Sequence, residues 1–149
     1  MGYRSQVAYI IAFEDDGAMG EFVTYVFGSG DEHMINALKE CEVDFKDLRI
    51  NYYESDVKWY DSYDDVKGHT SLYELVTVED TPFYDRCDYR FIRLGEEDGD
   101  IQEDASFGSY DPDDGFYVVR SIEKPFNDGY EPYGSVLGKL VKEKESENI

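Results

Sequence analysis

Gln6 to Phe13 is rich in Val, Ile and aromatics, short and closed by an acidic turn with Gly17; it predicts a buried strand. From Ala18 to Phe27 the apolar positions Met19, Phe22, Val23 and Val26 recur at i, i+3, i+4 and i+7, one face of a helix. Tyr25 and Phe27 fall off that stripe, so a strand is the alternative there. Ser29-Gly30-Asp31-Glu32 has the form of a capping box, and Met34, Ile35, Leu38 and Cys41 continue as a second helical stripe. Asp47 to Tyr53 alternates, with Leu48, Ile50 and Tyr52 on one side; after Glu54-Ser55-Asp56 the pattern resumes at Val57 to Tyr60, predicting a hairpin. A third helix is expected from about Ser62 to Thr77 on Val66, Leu72, Tyr73, Leu75 and Val76, with Gly68 and Thr70 weakening its middle.

Pro82 closes that region. Tyr89–Leu94 and Phe116–Ile122 read as strands separated by an acidic loop. After Pro125 come a loop and a marginal helix from Val136 into a charged tail. Strands are thus expected near 6–13, 47–53, 57–61, 89–94 and 116–122. The fold class that follows is α+β: one domain, mostly antiparallel, with helices packed on one face of the sheet. Residues 1–125 carry the domain and 126–149 form a tail belonging to it.

Composition agrees with one core. The chain has 149 residues, and 41% are hydrophobic, enough to bury apolar surface. Its longest apolar run, Val7 to Phe13, is far short of the ~18 residues that suggest a membrane span. That run also lacks the flanks of a secretory signal, and Gln6 stands where a myristoylation site wants Ser or Thr. A cytoplasmic protein is expected, with no membrane partner.

Charge changes the picture more. Thirty-five acids against 14 Lys and Arg give a net −21, and the 26 residues from Leu94 to Val119 hold nine acids and no Lys or Arg. Such a sign disfavours direct binding to a phosphate backbone. A block of like charge repels itself and must be solvated, bound to metal or met by a basic partner. The candidate partner-binding residues are therefore Glu96, Glu97, Asp98, Asp100, Glu103, Asp104, Asp111, Asp113 and Asp114.

Other chemistry finds little support in the spacing. Counted from Glu96, the sixth and twelfth positions of a calcium loop hold Ile101 and Phe107; counted from Asp111, they hold Phe116 and Ile122, where Gly and Glu are needed. Cys41, Cys87, His33 and His69 lie scattered, with no spacing that asks for zinc or a Cys–His nucleophile. Paired carboxylates for hydrolysis need one desolvated member, whereas this stretch, with Gly99, Gly108 and Gly115, reads as solvated. No catalytic residue, metal or cofactor is expected. Fourteen tyrosines remain, of which Tyr52, Tyr53, Tyr60 and Tyr63 cluster with Trp59, predicting a shared surface or a small core under the hairpin.

Met1-Gly2-Tyr3-Arg4-Ser5-Gln6-Val7, Val57-Lys58-Trp59-Tyr60-Asp61-Ser62-Tyr63, Phe91-Ile92-Arg93-Leu94-Gly95-Glu96-Glu97 and Val119-Arg120-Ser121-Ile122 together resemble segments of small uncharacterised acidic proteins of tailed bacteriophages. That resemblance implies a bacterial host cytoplasm and carries no activity and no site residues with it. The leading expectation is a non-enzymatic acidic protein that docks on a basic host protein, a nucleic-acid-binding one, in its sharpest form as a DNA mimic inhibiting a host or defence factor. Mimicry demands crowding: a duplex shows one charge per ~100 Å², whereas −21 spread over the ~7,800 Å² surface of such a chain gives one per ~370 Å². The alternatives are a structural or assembly phage protein whose acidity serves solubility, and a small metal-dependent hydrolase using the acidic loop.

Overall fold

The nine-residue strand β1 (Ser5–Phe13) lies at the centre of a five-stranded sheet because it is paired along both edges. One neighbour is β3 (Arg49–Val57), paired from Ala12↔Arg49 to Val7↔Glu54 and, after a register shift, at Ser5↔Val57; the other is β4 (Cys87–Gly95), in register from Ser5↔Gly95 to Phe13↔Cys87. Short β2 (Glu42–Asp44) extends the sheet beyond β3, and β5 (Ile101–Ala105) extends it beyond β4. The order is β2-β3-β1-β4-β5, antiparallel at every pairing. This computed structural model describes residues 2–106 together with Tyr117–Val118, Ile122–Glu123 and Phe126.

Alternation along β1 divides the core. Val7, Tyr9, Ile11 and Phe13 meet the buried stripes of α1 (Asp16–Gly28), α2 (Glu32–Lys39) and α3 (Asp64–Thr77). Ala8 and Ile10 turn the other way, where they are fully buried with Ile92 and Leu94 and touched by Phe126. Burial on both faces explains why this stretch is continuously apolar rather than alternating. The protein is an α+β domain with its three described helices on one face of an antiparallel sheet.

Each helix begins on acids, as the unsatisfied N–H groups and the helix dipole favour. Asp15 caps α1, accepting from the Ala18 N–H at 2.8 Å. Asp31 caps α2, accepting from Met34 N–H at 3.1 Å. Ser29 is therefore not the cap of α2: it ends α1, its hydroxyl donating to the Val26 carbonyl, and Gly30 at φ +75° turns the chain between the two helices. Cys41 lies just past α2, which ends at Lys39, and is still fully buried. Gly68, which weakens α3 by propensity, sits where a Cβ would collide with the His33 carbonyl oxygen of α2. Close approach of the two helices requires glycine there.

Three expectations in the sheet need correction. The hairpin of 47–53 with 57–61 does not form, because β3 continues through Glu54-Ser55-Asp56 to Val57, paired with β1 on either side of a register shift at Glu54↔Val7 and Val57↔Ser5; its hairpin partner is β2. Residues 58–61 instead lead into α3, with Trp59 packed on the core. The acidic loop is in part a strand: Gly99 at φ +94° and the bond from Gly95 N–H to Asp100 C=O (2.8 Å) turn the chain back to form β5. The strand expected over Phe116–Ile122 is, where described, two short strands, β6 (Tyr117–Val118) and β7 (Ile122–Glu123), paired antiparallel. Apart from Phe126, the tail expected over 126–149 lies outside the described residues.

Candidate functional site

The nine candidate acids do not form one unit. Asp111, Asp113 and Asp114 lie outside the described residues. Glu96, Glu97 and Asp98 occupy the exposed turn between β4 and β5, where Glu96 accepts from the Arg4 N–H at 2.6 Å. Asp100 is held inward: Arg93 donates to both of its oxygens, at 2.6 and 3.2 Å, and the Tyr3 hydroxyl donates to Oδ2 at 2.6 Å. Those bonds, the Arg93 guanidinium first and the Tyr3 hydroxyl second, lower its carboxyl to about 2. The same pairings raise Arg93 and Tyr3 above their ordinary values. Asp100 thus acts as a brace of the hairpin.

Strand alternation separates Glu103 from Asp104. Asp104 sits opposite Phe91 on the helix side of the sheet, where the Tyr73 hydroxyl donates to it at 3.4 Å. Glu103 sits opposite Ile92 on the other face, 3.9 Å from Arg90. Sequence spacing placed both in one solvated loop; only the pairing with β4 puts them on two faces of an edge strand.

Arginines elsewhere are engaged by carboxylates in the same way. Arg86 binds Glu14 at 3.1 Å and also Glu21, and Arg4 lies 3.9 Å from Asp56. Exposed acids also crowd the helix starts, as Asp15 and Asp16, Asp31 and Glu32, and Asp64 and Asp65. The acidic surface is broader than the 94–119 block. A shallow groove of about 450 Å³ has Glu40, Glu54, Asp56 and Asp65 in its walls beside Arg4, Lys58 and the edges of Tyr52 and Tyr63.

Beneath that groove the fold assembles what the sequence scatters. His69 of α3 is 2% exposed; its Nδ1 lies 2.6 Å from the Tyr9 hydroxyl and its Nε2 lies 3.0 Å from Glu40 Oε2. The Cys41 thiol is 3.4 Å from the same Tyr9 hydroxyl and donates to the Ala37 carbonyl. Tyr52 packs on the imidazole with ring centres 4.1 Å apart, and Trp59 closes the side at 5.7 Å. So His69 and Cys41, expected to stay apart, converge on one hydroxyl. A signal was present: position 69 continues the Val66–Leu72–Val76 stripe, and a histidine on a buried stripe needs polar partners.

The chemistry open to this cluster is limited by access. Tyr9 and Cys41 are fully buried, and burial pushes the Cys41 thiol up to about 12, away from the thiolate a nucleophile needs. Cys87 is likewise raised to about 12 by burial. Among the described residues, no group of three or more His, Cys, Asp or Glu side chains is placed to hold a metal ion, and no helix is long and apolar enough to cross a membrane.

The tyrosine cluster also divides. Tyr52 and Trp59 join the helix-side core, Tyr53 packs on the opposite face, and the Tyr60 hydroxyl accepts from Tyr3 N–H at 2.6 Å. Tyr63 remains exposed, edge-on to Tyr60.

No family model, curated protein or solved structure matches the chain.

Proposed function

We propose that the chain is a non-enzymatic acidic binding protein that docks on a basic protein surface. The observation that carries this reading is the disposition of charge: Arg4, Arg86, Arg90 and Arg93 all face carboxylates of the same chain, while the surplus acids stand in solvent. A surface on which acids outnumber bases this far attracts a basic partner over a Debye length and repels phosphate. Both cysteine thiols lie in the core, which supports a binding role over a catalytic one. In this reading, which takes up the resemblance to phage proteins, the partner is a host or defence protein of an infected bacterium that handles nucleic acid.

Docking is favoured over mimicry of a duplex. The chain exposes 8414 Å² for a net −21, one charge per about 400 Å², against one per ~100 Å² on DNA. The acids are spread over the helix starts, the groove and both faces of β5.

The test is affinity capture from bacterial lysate with the native chain and with an E97Q/D98N/E103Q/D104N variant, in low and high salt. The reading expects a defined protein captured in low salt, released by salt, and captured more weakly by the variant. Equal capture by both proteins would remove the β4–β5 hairpin from the site, and capture that ignores salt would overturn the reading. Displacement of the captured protein by duplex DNA would mark the partner's nucleic-acid site as the one occupied.

A further inference from the structure

We infer that the outer edge of β5 is a strand-addition site for an extended, basic segment of a partner protein. The charge of that partner rests on the acidic-docking reading above; the geometry of the edge does not. β5 ends the sheet order, and its inner edge is paired with β4 from Arg90↔Ala105 to Leu94↔Ile101. Among the described residues its outer edge makes one backbone hydrogen bond, a local one from the Ile101 N–H to the Gly99 carbonyl at 3.0 Å. Ile101, Gln102, Glu103 and Asp104 are all exposed. A five-residue edge of this kind presents a row of donors and acceptors ready for a sixth strand.

Proteins protect such edges with charged side chains, Lys above all, with Pro, with a bulge or by keeping the strand very short. β5 has no Lys and no Pro, and its register with β4 runs without a shift. What it has is one acid on each face, Glu103 on the side of Ile92 and Asp104 on the side of Phe91. A strand with basic residues at two adjacent positions would meet both, one per face, while an apolar residue would cover Ile101, which is 47% exposed. A second copy fits poorly. Full-length antiparallel pairing of two β5 strands centres on Glu103 and sets the two Glu103 side chains directly opposite each other, an unfavourable like-charge pair. Complementarity of charge therefore selects a basic strand.

The experiment uses the ¹⁵N-labelled full-length protein and two probes. One is a blocked eight-residue peptide of Thr and Val with a central Lys-Arg pair. The other is the same peptide with its four central backbone amides N-methylated, which keeps the charge and removes strand pairing. The proposal expects the first peptide to shift the amide signals of 101–105 and to slow their hydrogen exchange. It expects the methylated peptide to bind about tenfold or more weakly. Equal binding of both peptides would overturn the strand-addition site and leave charge-driven docking standing. An unmoved 101–105 segment would overturn it as well, as would concentration-dependent shifts there without peptide, which would make the occupant a second copy. Failure of the acidic reading itself shows separately, as lysate capture that ignores salt. An E103Q/D104N variant should bind the first peptide more weakly while keeping its dispersed spectrum.

Discussion

The Tyr9 hydroxyl stands 2.6 Å from His69 Nδ1, joining the central strand to the third helix through a bond that solvent does not reach. In one proton arrangement Tyr9 donates to Nδ1 while Nε2–H donates to Glu40, and the Cys41 thiol turns to the Ala37 carbonyl; each group then has a partner. Such a network positions the helix on the sheet, because a buried polar atom left unmatched is costly.

Removing one member measures that cost. Tyr9→Phe keeps the ring and its packing but leaves Nδ1 without its donor, so a loss of about 1–3 kcal/mol in unfolding free energy is expected. Urea denaturation would read it as a lower midpoint at an unchanged slope. An unaltered midpoint would mean that the bond contributes nothing net.

Asp100 gives a pH signature. Its carboxyl is lowered from the ordinary 3.8 to about 2 by Arg93 and Tyr3. A depressed folded value means that the folded state holds its proton less tightly than the unfolded chain. Its stabilisation is therefore full above the ordinary carboxylate range and is lost as pH falls from about 4 towards about 2. A carbon-detected NMR titration should place Asp100 well below exposed carboxylates, and Arg93→Gln should return it towards them.

At Gly68 two effects oppose each other. Alanine would gain about 1 kcal/mol of helix propensity, but its methyl group would meet the backbone carbonyl of His33, which cannot swing aside as a side chain would. Overpacking of this kind costs typically 1–3 kcal/mol, so Gly68→Ala should lower the melting temperature. A neutral or stabilising result would show that α2 and α3 can move apart freely.

Neutralising acids should have opposite effects within one hairpin. Glu97→Gln with Asp98→Asn removes charge from an exposed turn, and the melting temperature should stay level or rise as self-repulsion falls. Asp100→Asn breaks the charged fork to Arg93 and should lower it. Thermal melts of the two variants, compared at low and moderate salt, check both signs.

How much of this was legible beforehand depends on the range of the interaction. Gln6–Phe13 as a strand, the stripe Met19–Val26, and the stripe at Met34–Leu38 are visible because burial of one face imposes its own period on the chain. The α+β class follows from those periods. Residues 54–56 misled because an acidic, exposed strand end carries no local sign that β1 continues beside it; the register of a neighbouring strand made that choice. β5 was hidden for the same reason: Gln102-Glu103-Asp104 has poor strand propensity and is a strand through pairing with β4. Charge sign and amount were set by the sequence by itself, since they need no geometry. Which carboxylate braces, which faces solvent, and which histidine meets a tyrosine across 60 positions were decided by the tertiary structure alone. Those relations join residues that no local period links, and they exist only after the strands have taken their register.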